Sequence, residues 1–264
     1  MLCTDLYTVE GTDRMLPNPL WAAVGLIGRM LPGEAITLYH GVRVLLGVSY
    51  LLLLWASVRR VHTDALTQWT AWLLTVLGGG MAWVYSLHTG STDLKGMWVT
   101  ADFMPEMWSY SSLLYFPHFA AGLLLLVGSF HCACGAWRGG RRSSAALGGV
   151  LLGLLALVHT YTAVTAVVTL LLQSGVWMVV RRRWRPVVAA NVLLLFASAP
   201  FFMLQAWQVH VSPTMQKWAE SNLMPSPTPL SYLLGIGLPG IAALAGLAVT
   251  IAGLWREGMD DASE

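Results

Sequence analysis

HTGSTDLKGMWVTADFMPEMWSYSSLLYFPH, residues 88–118, is the longest polar interruption between the long apolar runs of this chain. It contains Asp93, Lys95, Asp102 and Glu106, and a histidine stands at each end. Connections between secondary-structure elements are usually a few residues long, and much longer ones tend to carry function. We therefore expect the functional site of the protein to lie in this stretch.

The composition of the chain is typical of a protein embedded in a lipid bilayer. Of its 264 residues, 56% are apolar and 11% are charged, whereas a soluble domain has about 25% charged residues. The mean hydropathy is +0.62, and no basic block is large enough for a nucleic-acid surface. The sequence predicts an all-α, polytopic transmembrane helix bundle in the lipid bilayer, with no nucleic-acid partner.

The apolar runs predict about seven spans, because one pass needs about 20 apolar residues. A break at His159–Tyr161 divides a run that is too long for one span, and Pro200 is expected to kink the sixth span. A short interfacial helix is predicted from Pro19 to Leu31, within an outer segment of residues 1–35. An acidic tail covers residues 257–264. The predicted spans are residues 36–58, 66–87, 113–137, 145–159, 161–180, 187–209 and 230–255.

The positions of the basic residues predict orientation, because short cytoplasmic loops collect Lys and Arg. If the turn after the first span is cytoplasmic, residues 88–112 and 210–229 lie on the non-cytoplasmic side of a multi-pass protein of the cytoplasmic (inner) membrane. The outer N-terminal segment then has no signal peptide or span before it. We expect a fragment that lacks N-terminal spans, and C-terminal spans as well. Ten of the fifteen basic residues become cytoplasmic: Arg59, Arg60, Arg138, Arg141, Arg142, Arg181, Arg182, Arg183, Arg185 and Arg256.

Two glycines on the fourth predicted span, Gly149 and Gly153, have the GxxxG spacing. In membranes this spacing is typical of helices whose backbones approach closely. We interpret the pair as a packing surface. A hinge or a substrate groove is the alternative.

Candidate binding residues gather near the predicted outer ends of the spans. Arg43 lies about two turns inside the first span, where a cation is costly and often functional. His40 is three residues earlier on the same face, so the two could hold a lipid phosphate. The alternatives are an arginine that snorkels to the headgroups and histidines that tolerate the interface. The candidate substrate-binding residues are His40, Arg43, His88, His118, His159 and Tyr161.

The candidate catalytic residues are Asp102 and Glu106, which are four positions apart with Pro105 between them. Two neighbouring carboxylates suit acid–base chemistry or a metal. The alternative is a capped short helix, because proline and acidic residues both favour the first helical turn.

A series of short motifs resembles the multi-spanning bacterial glycosyltransferases of the C-type fold (GT-C). Each motif is short and apolar, but their order and spacing match along nearly the whole chain. The motifs are NPLWAAVGLIGRML (18–31), YHGVRVLLG (39–47), LGGGMAW (77–83), DFMPE (102–106), LLYFPHFAAGLLLL (113–126), LGLLALVHTYTAV (152–164), RRRWRP (181–186) and SPTPLSYLLGIGL (226–238).

This resemblance implies an enzyme that takes a sugar from a polyprenyl-phosphate carrier and transfers it with inversion on the non-cytoplasmic face. It implies a general base in the first outer loop, an arginine or histidine that binds the carrier phosphate and, in some members, a divalent metal (Mg or Mn). Asp5 and Asp13 match no motif of that loop, so no base is assigned there and the chain alone is expected to be inactive if it is a fragment. The residues that match in position are Asp102, Glu106, His118 and His159.

Two other functions stay open at this point. A transporter or flippase would use the broken helices at His159 and Pro200 to line a midplane site. No acidic residue lies deep in any predicted span, which leaves such a protein without an obvious proton or sodium relay. A non-catalytic membrane assembly subunit would use the loops as protein contacts.

Overall fold

The computed structural model describes residues 18–30, 33–78, 109–182, 184–221 and 240–249, with short pieces at 87–88, 90, 93–94, 97–98, 229 and 236–237. Over these residues the chain is almost entirely helical. A hairpin pairs Asp93 with Trp98 and Leu94 with Met97. The elements are α1 (Pro19–Met30), α2 (Ala35–Val61), α3 (Ala65–Leu77), β1 (Asp93–Leu94), β2 (Met97–Trp98), α4 (Ser109–Tyr115), α5 (Pro117–Gly139), α6 (Arg142–Val158), α7 (Thr160–Arg181), α8 (Trp184–Val211), α9 (Pro213–Ser221) and α10 (Gly240–Val249).

Among the described residues, four helices are long and apolar enough to cross a membrane: α2, α5, most of α7, and α8. The helices α3, α6 and α10 are also apolar but have only 10–17 residues. A largely helical fold is therefore confirmed, with four helices whose length and composition suit membrane spans. The seven-span count and the C-type fold stay predictions.

The chain divides into two compact units. The first contains α1, α2 as far as Ser57, and α5 to α9. The second contains the end of α2 from Val58, then α3, the hairpin, α4 and α10.

The start of α5 differs from the predicted start of the third span at residue 113. Tyr115 ends α4, Phe116 is extended (φ −133°, ψ 143°), and Pro117 begins α5. Proline lacks the backbone N–H that a helix interior needs, and it disfavours helical geometry at the residue before it. The proline therefore places the helix boundary four residues later than hydropathy alone suggested.

The helix α6 packs against α8 through its two glycines. A Cβ added at Gly149 would lie 2.7 Å from Ala197 Cβ and would also collide with the backbone carbonyl of Leu194. A Cβ added at Gly153 would lie 2.7 Å from Cγ of Phe201. Close packing at the GxxxG pair is therefore confirmed. Because the contacts advance along both helices in the same direction, α6 and α8 run parallel.

Contacts of α5 show its direction relative to α2 and α6. Gly128 faces Leu53 of α2 and Leu151 of α6, and three residues further along α5 the Nδ1 of His131 is 2.8 Å from Oγ of Ser57. At the start of α5, Gly122 faces Leu155 and His159 at the far end of α6. The helix α5 thus runs parallel to α2 and antiparallel to α6.

A buried hydrogen-bond ladder ties three helices together within the first unit. Trp137 of α5 is 1% exposed, and its Nε1–H donates to Oδ1 of Asn191 on α8 at 2.9 Å. The Nδ2 of Asn191 donates to Oγ of Ser174 on α7 at 2.8 Å, and Ser174 donates to the carbonyl of Leu171. Each buried polar group of the ladder has a partner, as burial in an apolar interior requires.

These directions give the first unit two chemically different ends. The arginines that end α5 and α7 and begin α6 and α8 lie at one end, which we call the arginine end. His118 at the start of α5 and His159 at the end of α6 lie at the other, the histidine end. Between α6 and α7 only His159 is non-helical (φ −150°, ψ 82°), within the predicted break. The helix α8 continues through Pro200 to Val211.

In the second unit, Asp64 caps the N-terminus of α3, and the stabilisation that this cap provides should depend on pH. Its carboxylate accepts hydrogen bonds from the backbone N–H of Thr67 at 2.7 Å and from its hydroxyl at 2.8 Å. These bonds, the backbone bond first, lower the pKa of Asp64 below its usual value. A lowered pKa means that the cap stabilises the folded protein above the usual carboxyl pKa and is lost as the pH falls through the lowered value.

We therefore expect Asp64→Ala to lower the thermal unfolding midpoint at neutral pH and to have no effect at a pH below the lowered pKa. Asp64→Asn, whose amide oxygen also suits the cap position, is the control and should keep most of the stability. A loss that is equal at both pH values would contradict the assignment.

Candidate histidine–aromatic site

The candidate site lies at the histidine end of the first unit and is formed by side-chain rings from several helices. We call it the histidine–aromatic cluster. It draws on α1, α2, α5 and the junction between α6 and α7. Its members are Trp21, Tyr39, Phe116, His118, Phe119 and His159.

The start of α5 positions His118. Because Pro117 occupies the first helical position, where its missing N–H costs nothing, the helix begins there and His118 follows within the first turn. The ring of His118 lies 4.3 Å from that of Phe119 and 5.5 Å from that of Phe116, between centroids. The two phenylalanines thus hold the imidazole on its own helix.

The helix break positions His159. Oγ1 of Thr162 lies 2.8 Å from Nδ1 of His159, which orients the imidazole. The neighbouring carbonyl of Val158 accepts from Nδ2 of Asn18 at 3.3 Å, and the Oδ1 of Asn18 accepts from the N–H of Leu20 at 3.0 Å. Asn18 therefore caps α1 and attaches it to the break at the same time.

The two imidazoles face each other across α5 and the α6–α7 junction. Their centroids are 6.4 Å apart with an interplanar angle of 17°. Trp21 approaches His118 at 6.2 Å, and Tyr39 stacks on Trp21 at 6.0 Å. Aromatic rings in this range attract one another through their edges and faces. The result is a mostly apolar wall with two imidazole rings set into it.

One nitrogen of this cluster stands out chemically. Nδ1 of His118 is buried, and no group in the described part of the chain hydrogen-bonds to it. A buried polar atom without a partner costs about 1–3 kcal/mol. Such an atom gains most from a ligand that supplies the missing partner. An imidazole can donate to an anionic oxygen, so a phosphate or carboxylate of a ligand suits this position.

The structure brings together only part of the predicted binding set. His118 and His159 are in the cluster. His40 is exposed beside it, with its ring 5.3 Å from Tyr39. Arg43 is half-buried on α2, one turn after Tyr39 and on the same helix face. Tyr161 is 50% exposed.

The remaining predicted residues fall elsewhere. His88 is an exposed residue of the second unit. Asp102 and Glu106 lie outside the described residues, so their predicted catalytic role stays a prediction. Among the residues that the structure describes, no three His, Cys, Asp or Glu side chains are grouped to hold a metal ion.

Sequence reasoning missed the aromatic members of the cluster. Trp21, Tyr39 and Phe119 read as ordinary interfacial or core residues, because their importance depends on which helices meet. A local signal was present in Phe116 to Phe119, where a proline and a histidine are flanked by phenylalanines. The Asn18–Pro19 pair was a second signal, since it is typical of a helix start.

Comparison with known proteins identifies no relative. No family model, no curated protein and no solved structure matches the chain. The resemblance to C-type glycosyltransferases therefore stays an expectation that rests on the motifs.

Proposed function

We propose that this chain is an integral membrane glycosyltransferase of the C-type kind, which takes a sugar from a polyprenyl-phosphate carrier. The observation that supports the proposal is the buried Nδ1 of His118, without a protein partner among the described residues, beside His159. A carrier phosphate offers the acceptor oxygen that this nitrogen lacks. Trp21 and Tyr39 add flat apolar surface of the kind found where membrane proteins meet headgroups.

In the proposed reaction, a hydroxyl of the acceptor attacks the anomeric carbon of the sugar. The bond between that carbon and the phosphate oxygen breaks, and polyprenyl phosphate leaves with the electron pair. The hydroxyl proton passes to a carboxylate, for which Asp102 and Glu106 are the candidates. His118, His159 and Arg43 stabilise the charge that develops on the departing phosphate.

The proposed location is the non-cytoplasmic face of the cytoplasmic membrane. The arginine end of the first unit would be cytoplasmic, because Lys and Arg collect on that side. The histidine end would then face outward, where a lipid carrier can approach from the outer leaflet. Tag accessibility at residues 93–106 that placed this segment in the cytosol would overturn the proposed sidedness.

The test uses the full chain, purified and reconstituted into liposomes that contain a polyprenyl-phosphate-linked hexose. We expect release of free polyprenyl phosphate, with Asp102→Asn lowering the rate about 100-fold or more, the usual scale of acid–base catalysis. Asp93→Asn is the matched control, since it makes the same change in the same stretch. Unchanged release in both Asp102→Asn and Arg43→Ala would overturn the assignment of the site. If the wild-type protein neither binds the carrier nor releases polyprenyl phosphate, the proposed function is wrong.

The same experiment separates the enzyme from a transporter or flippase. The helix break at His159 is a feature that such a protein could use. However, no Asp or Glu occurs from residue 107 to residue 219, so α5 to α8 contain no carboxylate to couple transport to an ion. A transporter would move the intact carrier across the liposome membrane without releasing polyprenyl phosphate. A non-catalytic assembly subunit would do neither.

A further inference from the structure

The exposed face of α7 carries a line of polar side chains. Thr165, Thr169 and Gln173 are spaced four residues apart, so they lie along one side of the helix, and all three are exposed. We call these three residues the α7 polar stripe. The exposed faces of two other long helices differ. Every exposed residue among residues 44–56 of α2 and residues 188–207 of α8 is apolar, as contact with lipid requires.

Gln173 differs from the two threonines because its polar atoms are unpaired. The hydroxyl of Thr165 donates to the carbonyl of Tyr161 at 3.1 Å, and that of Thr169 donates to the carbonyl of Thr165 at 2.8 Å. Within the part of the chain that the structure describes, the side-chain amide of Gln173 has no hydrogen-bond partner. It therefore presents two N–H donors and a carbonyl acceptor at the surface of the helix.

The position of Gln173 along α7 makes this exposure costly in a membrane. Gln173 is eight residues before Arg181, which places it about 12 Å from that end of the helix at about 1.5 Å per residue. The hydrocarbon core of a bilayer is about 30 Å thick, and residues 160–180 contain no charged side chain. In a bilayer that α7 spans, the amide lies among acyl chains, too deep for its short side chain to reach the headgroups. An amide in hydrocarbon is costly unless it is hydrogen-bonded.

We propose that the α7 polar stripe is the contact surface of a homodimer, in which the Gln173 side chains of two copies of this chain bond to each other. A carboxamide is its own complement, because its N–H groups and its carbonyl can exchange two hydrogen bonds with an identical group. Two copies that insert with the same topology hold this residue at the same depth, and a two-fold axis along the membrane normal brings the same surface of each copy together.

The rest of the stripe suits this contact. Threonine is one of the small residues at which membrane helices approach closely, and Thr165 and Thr169 have the spacing of four that such contacts use. Their hydroxyls are already bonded to their own helix, so the amide of Gln173 supplies the hydrogen bonds between the copies. The stripe is separate from the histidine–aromatic cluster, so the dimer does not depend on the proposed glycosyl transfer.

The test measures the dimer fraction of the full chain in liposomes, by single-molecule photobleaching of a fluorescent label over a range of protein-to-lipid ratios. We expect the wild type to form dimers and Gln173→Leu to raise the dissociation constant about 5- to 30-fold, since a hydrogen bond between model membrane helices contributes about 1–2 kcal/mol. Gln173→Asn keeps a carboxamide and should give an intermediate value. Gln205→Leu is the matched control, because it makes the same change on α8, outside the stripe, and should leave the dissociation constant unchanged.

Two further measurements check the geometry. After the three native cysteines are changed to alanine, Gln173→Cys should give a disulfide-linked dimer on oxidation with copper–phenanthroline, whereas Val192→Cys on the exposed face of α8 should not. In detergent, at a dilution where both proteins are monomers, Gln173→Leu should unfold at a temperature no lower than the wild type, because the amide makes no bond within its own chain.

Three results would overturn the proposal. A wild type that stays monomeric at every protein-to-lipid ratio would show that another part of this chain or a different protein covers the stripe. An unchanged dissociation constant in Gln173→Leu, or equal crosslinking at residues 173 and 192, would show that another surface joins the copies. A lower unfolding temperature of the Gln173→Leu monomer would show that the amide has a partner within its own chain.

Discussion

Gly149→Ala should destabilise the protein by about 3 kcal/mol, at the upper end of the usual cost of overpacking. The new methyl group would meet the carbonyl of Leu194 and the Cβ of Ala197 on α8. A backbone carbonyl cannot rotate away as the tip of a side chain can, so α6 and α8 must separate. Helices in a membrane are held together largely by close van der Waals contact, and separation forfeits that contact along the interface.

Gly175→Ala is the matched control, because it makes the same substitution in the interior of α7, where the added Cβ would meet no atom within 4 Å beyond its own stretch of helix. There the change should stabilise the protein by about 0.5–1 kcal/mol, since alanine favours helix more than glycine does. Thermal unfolding of both variants in the same detergent measures the two effects. Destabilisation of similar size in both would mean that the packing of α6 on α8 is not what makes Gly149 necessary.

His118→Phe should make the protein more stable and make carrier binding weaker. Phenylalanine keeps the ring contacts with Phe116, Phe119 and Trp21 but removes the buried nitrogen. Removal of an unpartnered polar atom should raise the free energy of unfolding by about 1 kcal/mol. If that nitrogen donates to the carrier phosphate, the affinity should fall about 10- to 100-fold, the value of a hydrogen bond to a charged group.

His210→Phe is the control for this prediction, because it makes the same change at an exposed position near the end of α8. It should leave carrier affinity unchanged. The measurements are thermal unfolding without ligand and binding of a polyprenyl phosphate in nanodiscs. A loss of stability in His118→Phe would show that the nitrogen already has a partner in the folded protein. Equal affinity of the two variants would remove His118 from the proposed phosphate site.

Several features of the fold could be predicted because their causes are local. Hydropathy identified the helices α2, α5, α7 and α8 as apolar spans. The His159 break fell within the stretch where polar residues interrupt an apolar run. The spacing of Gly149 and Gly153 predicted a close helix contact. The start of α5 also has a local cause, Pro117. Hydropathy does not include the effect of proline on helix geometry, so the boundary was predicted too early in the chain.

The candidate site was predictable only in part, for a reason that concerns distance along the chain. Histidines near span ends suggested a polar outer surface, and two of them, His118 and His159, do meet. Nothing in their spacing distinguishes them from His40, which lies beside the cluster, or from His88, which belongs to the second unit. The contact between the two imidazole rings requires that α5 packs beside the α6–α7 junction. Helical periodicity does not predict which helices become neighbours.

The sequence by itself determined that the helices are apolar enough for a lipid bilayer and that basic residues gather at one end of them. Both properties follow from composition and from the order of apolar and basic residues. Only the tertiary structure decided which face of each helix meets which neighbour. That choice depends on shape, since the bare backbone of α6 at Gly149 admits α8 and thereby fixes the register of both helices. The pairing of His118 with His159 likewise depends on how α5 packs against the end of α6, through contacts between residues far apart in the chain.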